Sequence, residues 1–220
     1  MIKRPDTSPD APAAAQAGTP AGTQAKAADR RLAILGAALD CFLRHGVETT
    51  TIDMIREASG ASTGSIYHHF GSKEGVAVEL YLEGLRSFRA FQLAAFEGVT
   101  SLESGVRAVV YANVDWIGQQ PDWARFLFNH RGVLAHAPDA RGVASELGTS
   151  QSAFAGWMAA SLPPHQRLRW PLEAYLALVV GPVHEYARHW LAGQRTVPLA
   201  SLREFFADAA CRAVGLDGAA

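Results

Sequence analysis

Cysteine is scarce in this chain: Cys41 and Cys211 are the only two in 220 residues. They lie far apart in helical patterns, at a spacing that fits neither a disulfide framework nor a metal-ligand set. Two buried, reduced thiols are expected. Long apolar runs are missing as well. The longest, Leu176 to Val183, falls well short of the roughly 18 residues that a bilayer-spanning helix needs. No charged leader followed by an apolar region and a small-residue cleavage site stands at the start, so a cytoplasmic protein without membrane contact is expected. Neither a glycine-rich phosphate loop after a strand nor a nucleophile elbow is present, and Gly71-Ser-Lys-Glu-Gly75 resembles a phosphate loop only in its letters. His184 and His189 are five residues apart, which turns the second away from the first by about 140° on a helix, so they do not form a metal pair. Glu185 and Arg188 read instead as a surface i,i+3 pair. No catalytic constellation, cofactor or metal is expected.

A more local absence concerns charge. The chain carries 21 acidic residues and a net charge of -1, yet none of the acids falls in Ala58-Ser-Gly-Ala-Ser-Thr-Gly-Ser-Ile-Tyr-His-His-Phe-Gly-Ser-Lys73. Residues 30 to 75 balance five Lys and Arg (Arg30, Arg31, Arg44, Arg56, Lys73) against five acids (Asp40, Glu48, Asp53, Glu57, Glu74). Any attraction to nucleic acid must therefore come from placement rather than bulk charge.

Residues 1 to 29 hold nine Ala and four Pro and no large apolar side chain beyond Met1 and Ile2, which predicts a disordered arm. Its basic end, Lys26 with Arg30 and Arg31 just beyond, reads as a solvated tail or as an arm that touches a phosphate backbone. From Arg30, the residues Leu35, Ala38, Leu39, Phe42 and Leu43 mark one face of an amphipathic helix stopped by Gly46. A short helix follows Thr51, with Ile52, Ile55 and Ala58 inward and Gly60 at its end. Ser62 caps a third, with Ala61 and Ile66 as a hydrophobic staple. Gly71 ends it, and Ser72 caps a long fourth helix from Lys73 to between Phe91 and Phe96. Five further helical patterns are predicted, at about 102–119, 122–135, 141–162, 172–192 and 199–214, separated by prolines. The fold class is all-α, with a small N-terminal three-helix module at 30–75 and a larger helical module at 76–220.

Helix, tight turn, helix is the arrangement that presents the N-terminal end of a second helix to the major groove. Here Ser62, Thr63, Gly64 and Ser65 form a small-residue tip that lets the backbone approach DNA, with hydroxyls for base edges or phosphate. Tyr67 and His68 project from the next turn as donors, and Lys73 adds a point charge. An acid in this window would face phosphates, which accounts for the gap. So few basic groups per module predict that two copies bind together.

The run Thr50-Thr-Ile-Asp-Met-Ile-Arg-Glu-Ala-Ser-Gly-Ala-Ser-Thr-Gly-Ser-Ile-Tyr-His-His-Phe-Gly-Ser-Lys-Glu74 resembles the N-terminal motif of the tetracycline-repressor (TetR) family of bacterial transcription regulators. The resemblance is specific over residues 30–80 and architectural beyond. It implies that Thr51 contacts a phosphate, that Ser62 to Ser65 meet bases, that Tyr67, His68 and Lys73 grip the backbone, and that Phe70 is core. Thr63 stands where many members carry Lys or Arg near the tip.

The same resemblance implies a second module that dimerises and holds a small-molecule effector, and a protein that most often represses. Wide apolar faces on the last two helices (Leu172, Tyr175, Leu176, Val179, Val180, Val183; Leu202, Phe205, Phe206, Ala209, Ala210, Ala213) suit a four-helix bundle made with a second copy. Pro182 should kink the first of them. Tyr111, Asn113, Trp116, Trp123, Phe126, Phe128, Asn129, Trp157 and Tyr175 are the candidate lining of an apolar or aromatic effector site, or else core. The expected protein is a homodimeric, ligand-responsive regulator of double-stranded DNA at a pseudo-palindromic operator. A helical small-molecule-binding protein or enzyme without specific DNA binding is the alternative.

Overall fold

The computed structural model describes residues 20–134 and 171–216, with the single positions 145 and 156. Every regular element among them is helical: α1 (Pro20–His45), α2 (Ile52–Ser59), α3 (Thr63–Phe70), α4 (Lys73–Ala95), α5 (Leu102–Gln119), α6 (Pro121–Leu134), α7 (Leu172–Leu191) and α8 (Arg203–Ala213), the last preceded by a 3-10 turn, Leu199–Leu202. The predicted helix at 141–162 and its Trp157 lie outside the described residues, as do residues 1–19.

One expectation is corrected here. Residues 20–29, read as part of a disordered arm, form the first turns of α1. Pro20 is suited to a first helical position because its missing N–H has no partner there to lose. Ala, Gln and Lys after it are strong helix formers, so the segment continues a helix anchored further on by Ile34, Leu35, Ala38 and Phe42, all buried. Composition without apolar anchors reads as disorder, yet propensity extends a helix already nucleated by packing.

The other ends follow from their caps. The hydroxyls of Thr51, Ser62, Ser72 and Ser101 accept the backbone N–H of Met54, Ser65, Gly75 and Ser104 respectively, closing the first turns of α2, α3, α4 and α5. Gly60, at φ +64°, ends α2 in the left-handed conformation that the tight turn requires.

One buried apolar cluster runs through the molecule, from Ile34 on α1 to Cys211 on α8. α5 packs against α4, α6, α7 and α8 and forms the centre of the larger module. α1 and α4 both reach α6. Phe42 of α1 stacks on Phe126 of α6 with ring centroids 5.9 Å apart. Gly84 of α4 lets α6 come close, since a Cβ there would lie 3.1 Å from Trp123 Cε3 and 3.2 Å from Leu127 Cδ2. The three-helix module is therefore joined to the rest through packed side chains, with α4 belonging to both. Both thiols are free and buried, and burial raises the pKa of each.

Candidate nucleic-acid interface

α3 has only eight residues, and its sequence divides them cleanly. Ile66 and Phe70, one turn apart, are buried. Thr63 with Tyr67, and Gly64 with His68, are the i,i+4 pairs on the outward face, and all four are exposed. Ala61, buried beneath the cap, and Ile66 complete the staple that fixes the angle at which the chain enters α3. The outward face is consequently a small-residue tip followed by a phenol and an imidazole. Tyr67 stands half out of the surface, at 50% exposure.

The caps do double duty. Ser62 Oγ accepts the N–H of Ser65 at 3.1 Å, and Thr51 Oγ1 accepts that of Met54 at 3.2 Å. A hydroxyl that accepts with a lone pair keeps its hydrogen to donate outward. Ser62 and Thr51 are both exposed, so each can hold its helix and bond an external oxygen at once. Ser65 is half-buried beside them.

Lys73 Nζ donates to the carbonyl of Glu48 at 2.8 Å, tying the start of α4 to the loop that leads into α2. A carbonyl orients the ammonium without cancelling its charge. Three other basic side chains of the module are turned to acids: Arg56 to Asp53 and Glu57, Arg44 to Asp40, and Arg31 to Glu79 and Glu83 on α4. Arg31 also lies over the Phe70 ring, 5.9 Å from its centroid. The reading of Arg31 as part of a DNA-touching arm is thereby corrected: it clamps α1 to α4. Lys26 and Arg30 are exposed on α1.

Two groups that hold this face together were missed in the sequence. Thr50 is buried, and its hydroxyl lies 2.7 Å from the carbonyl oxygen of Gly46 and 3.3 Å from that of Cys41, closing the α1–α2 loop. Gly75 meets α3 end-on, as a Cβ there would fall 1.9 Å from the carbonyl oxygen of Phe70. A run of three threonines, Thr49 to Thr51, in which only the last is the cap, and a glycine inside a helix's first turn, were the available signals.

The candidate effector residues are dispersed. Trp116 and Phe126 are buried, Trp116 donating to Ser87 Oγ at 3.1 Å and tilted against Phe88. Trp123 is wedged against Gly84. Asn113 is buried, its amide nitrogen donating to Val109 O at 2.8 Å and its oxygen 2.7 Å from His184 Nε2. His184 in turn lies edge-on to Phe128. Tyr111 lies elsewhere, half-buried on α5, donating to Glu204 at 2.7 Å. Tyr175 is half-buried and Asn129 exposed. His184 and His189 keep different partners: the latter faces Gln194 and Glu185, and Glu185 also pairs with Arg188 as expected.

Residues 34–80 match the model of the bacterial regulatory proteins of the tetR family. The chain is 34% identical over 100 residues to the HTH-type transcriptional repressor AcnR of Corynebacterium jeikeium, covering 44% of this chain and 50% of that one. It spans about half the length of that relative. Among solved structures, a tetR-family regulatory protein from Rhodococcus RHA1 superposes with a TM-score of 0.65 at 22% identity, covering 84% of this chain and 97% of that one. The regulator FadR from Bacillus subtilis, solved with stearoyl-CoA, gives 0.64 at 12%, covering 85% and 99%. At these identities the solved structures share the fold.

Proposed function

Because the chain belongs to the TetR family of bacterial regulatory proteins, we propose that it is a homodimeric, sequence-specific DNA-binding transcriptional regulator, a repressor released from a pseudo-palindromic operator by a small-molecule effector. One observation carries the reading. The outward face of α3, built from Thr63, Gly64, Tyr67 and His68, is exposed, free of acids and backed by a buried staple. A helix end so shaped fits the major groove, with its N-terminal dipole toward phosphate. Ser62 to Ser65 meet bases, while Thr51, Tyr67, His68 and Lys73 bind the backbone.

Two copies are needed because one module offers few charges to phosphate. Leu178 and Phe205, at 49% and 62% exposure, together with Pro182 present apolar surface on α7 and α8. A four-helix bundle with a second copy would cover it and set the two α3 helices one DNA turn apart, about 34–36 Å. Effector binding must favour a dimer of different spacing, which requires unequal affinity for the two states. The Asn113–His184 pair, with Asn113 buried and Phe128 edge-on to the imidazole, supplies the polar anchor that an apolar effector would orient against. The same fold holds stearoyl-CoA in Bacillus FadR.

Selection of bound fragments from a random DNA library by the full chain, with Tyr67→Ala beside it, tests the proposal. An inverted repeat enriched by the parent and not by the variant is the expected result. Sequence-indifferent, salt-sensitive binding by both would overturn it.

A further inference from the structure

Away from the Asn113–His184 pair, a cleft of about 460 Å³ opens between the last turns of α4, the turn into α5, the outer flank of α5 and Arg203 at the start of α8. Its volume exists because the facing positions are small: Ala94 and Ala95 on α4, Ala108 and Ala112 on α5. Phe91 forms one apolar wall, and Tyr111 and Asp115 mark the polar end.

The sign of charge that this cleft accepts follows from its hydrogen bonds. Arg203 is its one cation among the lining residues, and it is spent. Its Nε lies 3.0 Å from Asp115 Oδ1, its Nη2 3.1 Å from Asp115 Oδ2 and its Nη1 3.3 Å from Glu204 Oε1, while the guanidinium carbon sits 3.4 Å from the centroid of the Tyr111 ring. An incoming anion would have to break these bonds beside two further sources of negative potential, Glu97 in the lining and the carbonyl end of the α4 dipole. With Asp115 and Glu97 against Arg203, the lining carries a net charge of -1. A carboxylate bonded by one guanidinium keeps unused lone pairs, so Asp115 can accept from a ligand without releasing Arg203. Phe91 offers an aromatic face that attracts a cation.

We propose that this cleft is a binding site for a compact organic cation, an ammonium group carried on an aromatic or short alkyl body. The ammonium bonds Asp115, with Glu97 adding attraction, and the body fills the space above the four alanines. The site is independent of whether the chain reads DNA, since it is defined by α4, α5 and α8 alone.

The test uses the full chain at low salt and three probes that share a phenylethyl body: 2-phenylethylammonium, 2-phenylethanol and 3-phenylpropanoate, titrated by calorimetry or by chemical shifts. The ammonium should bind roughly tenfold more tightly than the alcohol, with no binding of the carboxylate. Glu97→Gln, on the exposed turn, should weaken the ammonium a few-fold. Ala95→Phe, which fills the cleft, should abolish binding, with Ala94→Phe as a second filler should the first lower the melting temperature. Equal binding of the carboxylate, unchanged binding in both fillers, or no binding of the ammonium would each overturn the proposal.

Discussion

Gly75 stands so close to Phe70 that the hydrogen in place of a side chain is what lets α4 start where α3 stops. A Cβ at position 75 would lie 1.9 Å from the Phe70 carbonyl oxygen, a backbone atom that no rotamer change can move. Two effects oppose each other in Gly75→Ala: helix propensity gains up to about 1 kcal/mol, and the clash forces the α3–α4 corner apart at about 3 kcal/mol or more. The clash wins. The variant should lose about 2 kcal/mol in urea denaturation, and its DNA affinity should fall further than that loss alone explains, because the corner orients α3.

Gly64 gives the opposite balance. It is exposed at the α3 tip, with nothing within 4 Å of an added Cβ. Gly64→Ala should leave the fold as stable or raise its stability by roughly 0.5 kcal/mol. The methyl nevertheless holds the backbone off DNA, so operator affinity should fall at least about tenfold. A melting curve beside a binding isotherm checks both signs. A variant that is more stable and binds unchanged would remove the tip from the interface.

The outward residues of the module should separate into two classes. His68→Ala and Lys73→Ala each remove a backbone contact and should weaken all sequences about equally, by roughly fivefold per half-site, with a shallower salt dependence for Lys73→Ala. Thr63→Ala should change which bases are preferred. Library selection at two salt concentrations distinguishes these effects, and identical behaviour of all three would abolish the division.

The second, third and fourth helices were legible because their starts are written in local chemistry, whereas the start of α1 at Pro20 was not. Thr51, Ser62 and Ser72 are caps whose partners lie three residues away, within reach of sequence reasoning. The candidate effector residues were not sorted, because an aromatic at helical spacing looks the same whether it meets a cavity or another ring. Phe126 became core only through Phe42, 84 positions earlier in the chain, and Tyr111 was drawn to the surface cleft by Arg203 and Glu204. The sequence leaves Arg31 between a solvated tail and a phosphate-touching arm, since nothing local announces Glu79 and Glu83. Long-range partners decide these roles, and one sequence does not display them.

Phe205 provides a test of association. It is a large apolar side chain at 62% exposure on α8, set against Phe206, which is buried. Removing water from Phe205 in a dimer is worth on the order of 2 kcal/mol per copy, and a charge there would instead be desolvated. Phe205→Glu should therefore shift sedimentation from dimer to monomer while helical content stays unchanged, and operator binding should fail with it. A monomeric parent chain would overturn the dimer, and a dimeric variant would place the interface elsewhere.

His130 should make stability depend on pH. It sits on α6 with its ring 4.6 Å from Phe126, and desolvation lowers its pKa from the ordinary value of 6.5. Lowering means that the folded state binds the proton less readily than the unfolded chain, so the unfolded state carries more protons wherever the two differ. Stability then rises with pH through that window. The contribution is complete above the unfolded value of 6.5 and is lost as pH falls from there toward the lower folded pKa. His130→Gln keeps a polar side chain of similar reach and removes the titration. Melting temperatures from pH 7.5 to 5.5 should fall more steeply for the parent than for the variant, with the divergence starting near 6.5. Parallel curves would mean that the imidazole accepts its proton in place. The consequence extends beyond stability, because Phe126, on which His130 rests, is the ring that stacks against Phe42 of α1. A charged imidazolium drawn toward water would loosen that stack, so the affinity of the parent for DNA should drop over the same pH interval and that of His130→Gln should not.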